Sequence, residues 1–456
     1  MKRPNVILIT SHDIGRRLHC YGHAEVHSPA LDKLAADGAI FRNAFCTQAQ
    51  CSPSRASLYT GRYPHSNGVM GLVSKDFAWD LHPDEQHLAG RLKSDGYRTA
   101  LAGLQHETGR LSETGFDEID GGTERWAASV ADASEQFLAK FAADPDHPFY
   151  LQVGFFEGHR IPGHPNHEWG PMAADAPDSV VVPGYLKDEP GTREEFAQLH
   201  GSIRSMDAAV ERILATVDAC GFRDNTIVLF TADHGIPFPR AKTTCYDPGL
   251  EVALLLRGPG VPDGLDVRDL VSNVDILPTL MDLLGLPCPE NVQGQSFAGL
   301  FGGGEGQARS HVFGEMTYHN YADPMRCIRS ATHKLIVNFM PCAAIYNSTQ
   351  QWCPVPTPAF PPNPKDALHP LVELYDLEKD PWERNNCVDD PDYADVRAHL
   401  LSALAKQIVE TEDPLRHGLP LPRRFHDALA LLGFETPPVT SPLRSDRVES
   451  KQEQKN

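Results

Sequence analysis

Short apolar runs that stop at acidic, histidine-bearing loops constrain this chain more than any other feature. NVILIT (residues 5–10) runs into Ser11-His12-Asp13, and LQVGFF (151–156) into Glu157-Gly158-His159-Arg160. TIVLF (226–230) leads to Ala232-Asp233-His234-Gly235. Runs this short and this apolar read as strands buried on both faces. Helical segments separate them. SPALDKLAADG opens on Ser28 as N-cap with Pro29 behind it, HLAGRLKSDGY ends near Gly96, and FAQLHGSIRSMDAAVERILATVDACG is long and amphipathic. RTALAG supplies a further strand. Strands alternating with helices predict an α/β fold, a doubly wound sheet flanked by helices, with functional loops at the carboxyl ends of strands.

DILPTLMDLLGL (275–286) reads as a helix closing this region. Beyond residue 310 the texture changes to CIRSATHKLIVNFM, a proline-rich stretch PVPTPAFPPNPKD, then ELYDLEKDPWERNN. These predict a smaller C-terminal α+β subdomain with an antiparallel sheet and a helix over 391–410. The expected division is a catalytic domain over 1–315, this subdomain over 316–415, and an arm over 416–456. The polar end TSPLRSDRVESKQEQKN makes that arm partly disordered in expectation.

Bulk properties exclude some classes of function. A formal charge of −20 opposes binding to nucleic-acid phosphates. No apolar run approaches the roughly 20 residues that span a bilayer, and the run 6–9 is too short for an export-signal core. The expectation is a cytoplasmic protein, with no membrane partner and cysteines largely reduced. The extended arm suggests a homodimer.

The loops carry the chemistry. Asp13 and Asp233, with neighbours His12 and His234, lie past two different strands and can converge on one divalent cation. A single Asp after a strand is ordinarily a turn or a cap; its recurrence in two loops is what points to a metal. Arg55 and Lys242 suit a tetrahedral oxyanion, and His106 and His159 are positioned for proton transfer. Cys51 alone reads equally as a small buried hydrophobe. Composition leaves metal hydrolase, redox sensor and oxyanion-binding module all open.

One stretch, CSPSRASLYTGRYPHSNGV (51–69), has no apolar period and concentrates Cys51, Pro53 and Arg55. Cys51-Ser52-Pro53-Ser54-Arg55, followed by Thr60-Gly61, resembles the type I sulfatase signature C-x-P-x-R. FRNAFCTQAQCSPSRASLYTG, TADHGIPFP and ELYDLEKDPWE resemble the branch of that family containing heparan N-sulfatase (sulfamidase). The resemblance implies the fold of the alkaline phosphatase superfamily. It also implies oxidation of Cys51 to formylglycine by a formylglycine-generating enzyme, so that the segment is a modification site and an active-site turn together. The implied activity is hydrolysis of sugar or aryl sulfate esters or sulfamates through a covalent sulfo-enzyme intermediate. Asp13, Asp233, His234, His12 and modified Cys51 are the implied cation ligands. Arg55, His106, His159 and Lys242 are placed around the sulfate.

Three positions depart from the family pattern. His12 replaces the first of two adjacent aspartates, and His234 replaces an asparagine. Leu104 replaces the lysine of a G-K-x-H loop, here Gly103-Leu104-Gln105-His106. Calcium is the family's cation, and the added imidazoles bring Mn²⁺ and Zn²⁺ into consideration. Loss of the lysine raises two alternatives: a phosphonate monoester or phosphodiester hydrolase, and a non-catalytic oxyanion-binding relative.

Overall fold

A computed structural model describes residues 2–73, 79–121, 126–160, 170–302, 308–344 and 368–434. Most of the loop after His159, the proline-rich stretch and the final polar segment lie outside the described residues.

The strands are β1 (Asn5–Ser11), β2 (Ala39–Phe45), β3 (Arg98–Gly103), β4 (Glu118–Gly121), β5 (Phe149–Gly154) and β6 (Thr226–Ala232). They continue with β7 (Leu254–Arg257), β8 (Leu265–Ser272), β9 (Val312–Tyr318), β10 (Ala322–Arg329), β11 (His333–Asn338) and β12 (Val372–Asp376). The helices are α1 (Pro29–Ala36), α2 (Cys51–Thr60), α3 (Pro64–Asn67), α4 (Leu88–Ser94) and α5 (Ala127–Ala142). They continue with α6 (Pro190–Ala219), α7 (Asp247–Leu250), α8 (Ile276–Leu284), α9 (Ala394–Glu410) and α10 (Arg423–Leu431).

The first eight strands form one sheet in the order β4-β3-β5-β1-β6-β7-β2-β8. It is parallel except for β7, which runs antiparallel to β6 and β2. Every residue of β1, β5 and β6 is buried, as continuous apolar runs with helices on both faces require. This is the doubly wound α/β sheet that the alternation predicts. The order places the carboxyl ends of β3, β5, β1 and β6 side by side, and their loops meet there.

The second sheet is antiparallel, β12-β11-β10-β9. Its own small core joins Ile328, Leu335 and Leu374 to Leu400 and Leu404 of α9. Among the described residues no helix is long and apolar enough to cross a membrane.

Two local expectations change. Ser28 sits at the N-cap of α1 but makes no side-chain cap; its hydroxyl accepts from the His19 N–H. Asp207 of α6 caps α1 instead, its carboxylate accepting from the Ala30 and Leu31 N–H groups at 3.0 Å each. The expected turn at Cys51 is the first residue of α2, all ten residues of which are buried. A helix enclosed on every side needs no polar face, so the missing period marks burial rather than irregular backbone.

Candidate active site

β1 and β6 are hydrogen-bonded neighbours, and their continuing loops stay paired. The Asp233 N–H donates to Ser11 O at 3.0 Å and the Gly15 N–H to His234 O at 2.9 Å. Asp233 then acts as the hub. Its Oδ1 accepts from the backbone N–H groups of Asp13 (3.0 Å) and His234 (2.8 Å). Asp13 has φ 54°, a left-handed conformation uncommon for a residue with a side chain, and the hub holds it there. The β5 loop closes on the same place through Gly158, whose φ is 97°. A Cβ there would meet His12 O at 1.8 Å, so only glycine allows the two loops to touch.

Asp13 Oδ1 faces two imidazoles, His12 Nδ1 at 2.7 Å and His234 Nε2 at 2.9 Å, and Asp13 Oδ2 accepts from Lys242 Nζ at 2.7 Å. Lys242 lies between Arg240 (φ 62°) and Thr243 (φ 68°), in a loop pinned by the Thr243 N–H donating to Ala49 O. Cys51 is 2 % exposed, with Sγ 3.4 Å from His234 Nε2. Arg55, one helical turn on, shares its face of α2. The Arg55 Nε–H donates to Asp233 Oδ2 at 3.0 Å, while Nη1 and Nη2 are buried without a hydrogen-bond partner. Asn273 holds α2 in register by donating to the Ser54 carbonyl (3.0 Å) and hydroxyl (2.9 Å).

The electrostatics follow from this packing. Burial alone pushes the Cys51 thiol up, but Lys242 and His12 outweigh it, aided by a hydrogen bond from His106, and hold it well below its ordinary value. Burial works against protonation of His12 and His234. The carboxylates of Asp233 and Asp13, with Cys51, reverse that and raise the two to about 9 and about 10. For His159, burial, Lys242 and His12 outweigh the opposing charges of Asp13 and Cys51 and lower it to about 3. Its Nδ1 lies 2.7 Å from Arg160 O, so the neutral ring donates there and presents Nε2 as a lone pair.

Ligand atoms of His12, Asp13, Cys51, Asp233 and His234 all lie within 4.8 Å of one another. Two buried carboxylates balanced by two protonated imidazoles form a set whose charge a divalent cation can take over, with mixed oxygen and nitrogen donors. The residues fit a divalent metal. Sequence reasoning named all of these groups, and the structure brings them together with Arg55 and Lys242. His106 joins through the thiol, and His159 through its ring, 4.7 Å from that of His12. Leu104 is 3 % exposed at the end of β3.

Two neighbours were not anticipated. Glu107 is fully buried beneath the site, accepting from His87 (3.3 Å), Gln152 (3.2 Å) and the His106 N–H (2.8 Å). His319, from the turn between β9 and β10, lies close enough to Cys51, Lys242 and His234 to feel their charges.

Comparison with known proteins identifies the family and the fold. Residues 4–286 match the family model described as Sulfatase, and residues 238–350 that described as N-sulphoglucosamine sulphohydrolase, C-terminal. The chain is 30 % identical over 457 residues to N-sulphoglucosamine sulphohydrolase of Homo sapiens, covering 90 % of this chain and 91 % of the relative. It is 29 % identical over 424 residues to an ulvan-active sulfatase of Formosa agariphila, covering 88 % and 79 %. Among solved structures, one called a putative sulfatase, from Bacteroides thetaiotaomicron, superposes with a TM-score of 0.69 at 22 % identity, covering 91 % of this chain and 94 % of that one. That likeness establishes the alkaline-phosphatase-like sulfatase fold.

Proposed function

The chain belongs to the sulfatase family of sulfuric ester hydrolases, and on that premise we propose that it removes sulfate from the N- or O-sulfate of a sugar. The relatives' names supply the substrate class: N-sulphoglucosamine for one and ulvan for another. The observation that carries the reading is the Arg55 guanidinium, buried beside Cys51 with both terminal nitrogens unpartnered. Such a group is costly to bury and is stabilised by an oxyanion.

Asp13, Asp233, His234 and His12 are the residues that would hold a divalent cation, which would supply positive charge to a sulfuryl oxygen and to a nearby hydroxyl. Formylglycine made from Cys51 would supply, as its hydrate, one hydroxyl that takes the sulfuryl group as the bond to the sugar breaks, and a second whose deprotonation restores the aldehyde as the C–O bond breaks and sulfate leaves. Arg55 and Lys242 orient the sulfuryl group and offset its developing charge. His106 hydrogen-bonds at the nucleophile. His159 rests neutral with Nε2 open; an arriving anion offsets Lys242 and His12, so that the ring takes up the proton it delivers to the leaving nitrogen or oxygen.

The test pairs peptide mass with sulfate release, using protein made alongside a formylglycine-generating enzyme. The peptide containing Cys51 is expected to exchange one sulfur and two hydrogens for one oxygen. The protein is expected to release sulfate from an N-sulfated amino sugar, and Cys51→Ala to release none. An active protein with an unmodified Cys51 overturns the nucleophile, and a modified protein inert to sugar sulfates overturns the substrate class.

One observation favours a second reading. Buried Leu104 leaves the pocket without one cation, which suits a singly charged phosphonate monoester. A higher kcat/KM for a phenyl phosphonate ester than for an aryl sulfate would favour it.

A further inference from the structure

The second sheet reaches the active site through one turn. β9 runs beside the segment entering α2: the Glu315 N–H donates to Thr47 O at 2.8 Å, and Gln48 Nε2 lies 3.5 Å from Met316 Sδ. Tyr318, at the end of β9, is fixed on three sides. Its N–H donates to Met70 O (3.2 Å), its hydroxyl donates to Pro420 O (2.8 Å), and its ring packs against Trp79 at 5.3 Å. The next residue is therefore held in place. His319 is 7 % exposed, its Nδ1 has no hydrogen-bond partner, and Asn320 hydrogen-bonds its ring. A nine-tenths-buried ring nitrogen left unpaired in a fixed turn is costly unless something fills it.

Burial and the charge of Lys242 push the His319 imidazole down to about 4. It is neutral under ordinary conditions and adds no cation to hold sulfate. With Asn320 taking the other nitrogen, Nδ1 offers a lone pair, which recognises an O–H or N–H rather than an anion.

We propose that His319 is a specificity-determining residue, supplied by the second sheet, that accepts a hydrogen bond from a sugar hydroxyl neighbouring the sulfated position. The inference rests on the sugar-sulfate reading and makes it more specific. It assigns sulfate recognition to the first sheet and recognition of the sugar ring to the β9–β10 turn.

The experiment is calorimetric binding to full-length Cys51→Ser protein supplied with a divalent cation, so that it does not depend on turnover. Affinities for glucosamine N-sulfate and for inorganic sulfate are measured with His319 intact, then as His319→Ala and His319→Asn. His319→Ala is expected to reduce the preference for the sugar by about tenfold, the range of one hydrogen bond. His319→Asn keeps an acceptor and is expected to recover part of it. His319→Leu repeats the comparison with a side chain that fills the turn, should truncation prevent folding. A preference unchanged within about twofold, or a parallel loss of both ligands, overturns the role of His319 alone. A His319-intact protein that binds the sugar no better than sulfate overturns the substrate reading, and the inference falls with it.

Discussion

Arg55 makes the sharpest demand at the scale of single residues, because one guanidinium both neutralises Asp233 and faces the reaction. Arg55→Ala is expected to lower kcat by about 10²- to 10³-fold, measured as sulfate release, while a folded far-UV spectrum is retained. Arg55→Lys is expected to recover little, since a single ammonium does not hold Asp233 and an oxyanion at once. Near-native turnover in Arg55→Ala would remove it from the mechanism. Much of the site is legible at this scale, because Asp13, Cys51, Asp233 and their neighbours occupy short stretches just past strands or inside a signature. His319 is not legible. It stands among tyrosines in a hairpin, and nothing local says that the hairpin folds back onto a residue more than 260 positions earlier. Glu107 escapes for a similar reason, since a lone acid beside His106 reads as exposed until β5 buries it.

Elements carry a pH dependence of their own. Glu157 caps the amino end of α5, one carboxylate oxygen accepting from the Ala127 N–H while the other is buried without a partner. Burial raises it from an ordinary 4.5 to about 7, although hydrogen bonds from Ala127, its own N–H and Phe156 oppose the rise. A raised carboxyl binds its proton more tightly folded than unfolded. Its contribution is therefore full below about pH 4.5 and is lost as pH rises through 7, by about 3 kcal/mol. Urea midpoints between pH 5 and pH 8 are expected to fall less steeply for Glu157→Gln than for the wild type; identical slopes would rule out this origin. The strands are readable as short continuous apolar runs and the helices by their amphipathic period. The antiparallel direction of β7 is not, since a four-residue strand, three leucines and Arg257, encodes no direction. α2 was missed as a helix because enclosure on all sides erases the period that identifies one.

At the scale of the whole molecule, the two sheets are joined by buried charge as well as by apolar contact. Lys334 of β11 is fully buried, pairs with Asp247 and lies 2.9 Å from Glu383 Oε1. Arg329 of β10 reaches Asp247 at 3.2 Å. These cations hold the segment that follows Lys242, so the second sheet steadies a loop of the first. Lys334→Met leaves Asp247 and Glu383 without the cation they share and is expected to cost about 3–5 kcal/mol in urea unfolding, with a lowered affinity for inorganic sulfate. Unchanged stability would show that the network contributes nothing net. The enclosure of α2 also bears on timing. With Cys51 2 % exposed at the start of a helix buried along its whole length, no second enzyme can take hold of its side chain once the chain has closed. The proposed oxidation must then run ahead of folding, in a race that begins as residue 51 is synthesised. A molecule that folds first is sealed in the thiol form, soundly folded and beyond later repair, so the active fraction of a preparation records how often the oxidising enzyme arrived in time.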